Sequence, residues 1–99
     1  DIWELPLTLP RDGSLRFLGH KPFQILRIWQ EASLAIARSG GIVSLLTHCE
    51  AGFSGNRSML ECYRAFLDWL LAQSTFRFVR PVDLVAEMER GRAGEAGAN

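Results

Sequence analysis

The sequence predicts an α/β fold made of parallel strand–helix repeats. Short stretches rich in β-branched, aromatic and leucine residues alternate with longer ones whose apolar residues recur at helical spacing. Turn residues separate them. The order is strand, helix, strand, helix, strand, helix, which leads to a parallel sheet with right-handed crossovers. A chain of 99 residues, 47% hydrophobic, holds one domain at most. Three strands and three helices barely cover both faces of a parallel sheet. The chain therefore reads as part of something larger.

The first strand is expected over Ile2–Leu9, with Pro6 placing it at an edge or breaking it. Residues 10–20, with Pro10, Asp12-Gly13 and Gly19, read as a loop. A helix should begin near Lys21-Pro22, since proline suits a first helical turn. Its apolar face is Ile25, Ile28, Trp29, Ala32, Ala35 and Ile36, and Ser39-Gly40 ends it. Ile42–Thr47 then reads as a strand buried on both faces, stopping at His48. Residues 49–56 have loop composition. A second helix follows over about residues 57–74, capped by Asn56 or by a Ser58/Glu61 capping box. Its two apolar stripes cover about half the circumference, wider than one sheet face requires. Phe76–Val79 is the third expected strand, and Pro81 opens a last helix ending at Gly91. The domain is thus residues 1–91, with 92–99 expected as a disordered tail.

Composition excludes several functions. Eleven basic and eleven acidic side chains balance, so no basic field points to nucleic acid. No apolar run is long enough for a membrane span, and no signal peptide is evident. The two cysteines, Cys49 and Cys62, lack metal-site spacing and read as reduced. Unpaired cysteines without a signal peptide lean toward a cytoplasmic setting.

The candidate site follows from the topology. In a parallel sheet, ligands collect at the C-terminal ends of strands. The loops at 10–20 and 49–56 would share that rim. His20 and His48 would meet there, with Arg11, Asp12, Glu50, Asn56 and Arg57 as polar neighbours. A thiol reaction using Cys49 with His20 as base is a weaker option, because no nucleophile elbow or triad spacing accompanies it.

Trp3-Glu4-Leu5-Pro6-Leu7-Thr8, a long amphipathic helix, Gly41-Ile42-Val43-Ser44-Leu45-Leu46-Thr47-His48, a leucine-rich helix and Phe78-Val79-Arg80-Pro81-Val82-Asp83-Leu84 follow in order. Together they resemble the C-terminal part of the polysaccharide deacetylase family, over residues 1 to about 90. The resemblance implies the C-terminal segment of a distorted (β/α) barrel and a divalent metal, usually zinc. It implies removal of N- or O-acetyl groups from carbohydrate by a metal-bound water. It makes His48 the general acid and Leu46 a wall of the acetyl pocket. Where the family usually has an aspartate after that histidine this chain has Cys49, and Ser44 replaces a usual aliphatic residue. The family's metal ligands lie in its N-terminal part, and no H-x-x-x-H is present here. No metal ligand is therefore assigned, and this segment alone is expected to bind no zinc. Its partners would be the carbohydrate and either the N-terminal half of the domain or an oligomer partner. The alternative is a non-catalytic deacetylase-like domain that binds a glycan or a protein.

Overall fold

The computed structural model describes residues 2–98. Among the described residues four helices follow one another: α1 (Asp12–Phe17), α2 (Pro22–Arg38), α3 (Arg57–Ala72) and α4 (Pro81–Ala98). Among the described residues there is no strand and no sheet. The expected α/β class, with its parallel strand–helix repeats and barrel segment, is therefore corrected to a helical fold.

The reason lies in backbone pairing. A strand exists only when its N–H and C=O groups find a neighbouring ladder. The segments at 2–9 and 42–48 do run beside each other, but their contact is confined to one point. Thr8 N and Leu9 N both donate to Ser44 O at 3.1 Å. The Thr8 side chain then takes the remaining partners: its Oγ1 donates to Ile42 O (2.7 Å) and accepts from Ser44 N (2.8 Å). A side chain occupies the place where a second backbone would continue the ladder. At 76–79, the one backbone bond reaches back locally, from Phe76 N to Gln73 O. Val43 and Leu45 pack against the core, but residues 42–45, 47 and 48 are only part-buried and Leu46 is 39% exposed, so the stretch is not buried on both faces.

The helices form for the reasons their sequences suggest. Pro22 starts α2, and the Gln24 side chain accepts from Lys21 N at 2.8 Å. Gly40, with φ +75°, turns the chain out of α2 in a conformation that favours glycine. Asn56 caps α3, its Oδ1 accepting from Met59 N at 3.0 Å. Sequence reading missed α1, because its Asp12-Gly13 start looks like a turn. It also stopped the last helix at Gly91, whereas α4 continues to Ala98, so residues 92–98 of the expected tail are helical. Asn99 lies outside the described residues.

The core is the α2–α3 pair. Ile25 and Trp29 of α2 meet Met59, Cys62, Phe66 and Leu70 of α3, all buried. The Trp29 and Phe66 rings lie 5.5 Å apart, Phe66 lies 6.1 Å from Trp69, and Trp69 lies 6.1 Å from Phe76. Full burial of one such side chain contributes roughly 1.5–3 kcal/mol. Leu9 and Leu15 seal one end, and Trp29 Nε1 donates to Pro10 O at 2.8 Å. That bond ties the 10–20 segment to α2, which places α1 and Asp12.

Candidate functional site

Asp12 opens α1 and is fully buried. A buried carboxylate needs its lone pairs filled. Here Oδ1 accepts from Gly13 N (2.7 Å) and His48 Nδ1 (2.8 Å). Oδ2 accepts from His48 N (2.8 Å) and Ser54 Oγ (2.5 Å). Burial pushes the Asp12 carboxyl up. The bonds from His48 and Ser54 and the two backbone amides outweigh that and hold it below its ordinary value. Asp12 is therefore a carboxylate near neutral pH.

Three separate segments meet at this one residue: the start of α1, the end of the 42–48 stretch, and the loop before α3. The loop is closed by Ser54 N donating to His48 O at 3.1 Å. It also requires glycine at 55, where a Cβ would run into the Cys49 carbonyl. Phe53 is thereby set 5.3 Å from the His48 ring, centroid to centroid.

The geometry fixes the imidazole. With Nδ1 donating to an ionised Asp12, Nε2 is left to give or take a proton. The His48 side chain is 33% exposed and faces an open cleft of about 460 Å³ with Arg11, Phe17, Leu18 and Phe53. A buried carboxylate that orients a part-exposed histidine is the arrangement of a positioned acid–base group. Ser54 does not extend it into a nucleophilic relay. Its hydroxyl is committed to Asp12, whereas a nucleophilic serine would bond the far imidazole nitrogen.

Other expected residues fall elsewhere. His20 does not line this cleft; its carbonyl accepts from Arg16 Nη1 at 3.3 Å. Leu46 lies two residues before His48 and does not line the cleft either. Arg57 pairs with Glu61 at 3.2 Å along α3, and Asn56 is spent on the cap. Cys49 is exposed and Cys62 is buried, and both thiols are free. Burial pushes the Cys62 thiol up, away from thiolate chemistry. Sequence reading counted Asp12 as a rim neighbour but did not see its bond to His48. It missed Ser54 and Phe53 entirely; a serine and an aromatic beside a glycine carry no motif.

A second cleft of about 440 Å³ lies between residues 42–44 and 75–79. Its lining includes Leu5, Ile42, Phe76, Phe78 and Leu84, and its one charged side chain, Arg77, is paired with Glu87 at 2.6 Å. It holds no acid–base group.

The family resemblance implies a divalent metal. Among the described residues no three His, Cys, Asp or Glu side chains converge. The one carboxylate beside His48 is filled by hydrogen bonds. These residues do not fit a catalytic zinc, which takes about three protein ligands and a water. Among the described residues no helix is long and apolar enough to cross a membrane. Comparison with protein-family models finds no match, and comparisons with curated proteins and with solved structures find none either. The fold and site thus define a helical chain bearing a buried-aspartate–histidine pair at an open cleft.

Proposed function

We propose that this chain contributes the proton-transfer histidine of a glycan deacetylase. The observation that supports this best is the Asp12–His48 pair, with Nδ1 held at 2.8 Å and Nε2 left for the cleft. The resemblance of the segments ending in His48 and in Leu84 to polysaccharide deacetylases supplies the reaction class. In that reaction the attack of water on an acetyl group leaves a sugar oxygen or nitrogen that must take up a proton. His48 Nε2–H delivers it, and Asp12 holds the ring in the tautomer and orientation that delivery needs. Phe53 and Phe17 give the cleft apolar walls against which a sugar ring rests. The step that activates water is not assigned to residues of this chain.

The test is acetate release from a partly acetylated glycan by the polypeptide that carries this chain. His48→Asn should lower kcat by about 10²–10⁴-fold with KM nearly unchanged, since the donor acts in the transition state. Turnover within a few-fold of wild type in a folded His48→Asn protein refutes the role.

A further inference from the structure

We infer that the His48 cleft selects an acidic glycan, with Arg11 as the residue that binds the anionic substituent. This rests on the proton-transfer reading of His48 and adds the substrate's charge to it.

The charge distribution carries the inference. The cleft lining comprises Arg11, Ser14, Phe17, Leu18, His48, Phe53 and the backbone of Gly13, with no acidic residue. The nearest acid, Asp12, is buried behind the histidine with both oxygens engaged. Five ion pairs occur among the described residues, and none includes Arg11. Arginines 27, 57, 77 and 80 each have a carboxylate partner; Arg11, like Arg16, Arg38, Arg64, Arg90 and Arg92, is in none of these pairs, and of those six only Arg11 lines the cleft. Arg11 is exposed and lines the cleft together with His48. Its guanidinium offers a planar fork that matches a carboxylate or sulfate in two parallel hydrogen bonds. The same cleft is lined by Phe17, 90% exposed, and Leu18, 69% exposed, which add apolar surface to the cation. A pyranose bearing an anion presents that same combination: an apolar ring face and one charged edge.

Arg11 holds its place through the backbone alone. Its carbonyl accepts from Leu15 N at 3.2 Å, and no side-chain bond is made in capping α1. Arg11→Gln therefore removes the charge and leaves α1 intact.

The experiment titrates the polypeptide that carries this chain with methyl glucoside, methyl glucuronide and glucose 6-sulfate, following the His48 ring protons by NMR. The glucuronide and the sulfate should each bind about three- to tenfold more tightly than the glucoside, the range of an exposed charge-assisted contact. That preference should vanish in Arg11→Gln and shrink between low and high salt. A preference for one anion over the other identifies carboxylate or sulfate as the natural group. Equal binding of neutral and acidic sugars, unchanged by Arg11→Gln, overturns the inference and leaves the glycan reading standing. If no sugar moves the His48 signals, the glycan reading fails and the inference falls with it.

Discussion

The α2–α3 pair and the extended segments beside it meet the same requirement by opposite means. A helix satisfies its backbone internally, so α2 and α3 need from each other only apolar surface. The segments at 2–9 and 42–48 cannot do this. They are held by a few specific bonds, at Thr8, Ser44 and Asp12. One region is stabilised by non-directional burial, which tolerates repacking. The other depends on single polar residues, each of which is decisive locally. The candidate site grows from the second kind. His48 is positioned by the Asp12 carboxylate, which takes both its backbone N–H and its ring N–H.

That difference can be broken from either side. The largest loss should come from Phe66→Ala, which empties the centre of the aromatic chain Trp29–Phe66–Trp69–Phe76. A loss of about 3–5 kcal/mol is expected, enough to leave much of the chain unfolded in a urea melt. Asp12→Ala comes next. It removes the acceptor for His48 N, His48 Nδ1, Ser54 Oγ and Gly13 N together. About 1–3 kcal/mol should go, as for buried polar groups left without a partner. The His48 ring NMR signals should broaden while the α2–α3 signals stay sharp.

Acid should act on the same side of the comparison. The folded Asp12 carboxyl lies below its unfolded value, so its contribution is complete above the ordinary carboxylate pKa of ~3.9. Below that the unfolded chain takes up the proton first, and stability falls until the depressed folded value is passed. A Tm series from pH 6 downward should show this fall in wild type and a flatter profile in Asp12→Asn. The smallest effect tests the helix pair once more. Ser33 is fully buried in α2 and its hydroxyl has no partner. Ser33→Ala should therefore raise stability, by up to about 1 kcal/mol in a chemical melt.

The same division decides what could be read from the sequence. Helical periodicity and caps are local signals. Pro22, Gly40, Asn56 and Pro81 mark α2, α3 and the start of α4 where the structure has them. Extended stretches carry a strand's alternation whether or not a neighbour supplies the ladder, so residues 42–48 looked like a buried strand. Pairing is a property of distant residues, and Thr8 taking Ile42 O is invisible in either segment alone. His48 stood out by ending an apolar run. Its partner lies at a sequence separation of 36 and looked like a turn residue. Ser54 and Phe53 acquire meaning only once the loop has closed on Asp12.

The three tryptophans sit in three unlike settings, which gives the molecule built-in optical reporters. Trp29 is fully buried with its indole N–H on Pro10 O. Trp69 lies between the Phe66 and Phe76 rings. Trp3 bonds Glu89 at 3.1 Å and has the Arg92 guanidinium 5.6 Å over its ring, which joins the N-terminal segment to α4. Fluorescence from Trp29 should peak at short wavelength and resist iodide. Trp3 emission should lie further to the red, and the neighbouring cation should draw the quencher in. Single-tryptophan versions would then time the release of α4 separately from the melting of the α2–α3 core, two events that a circular dichroism trace adds together.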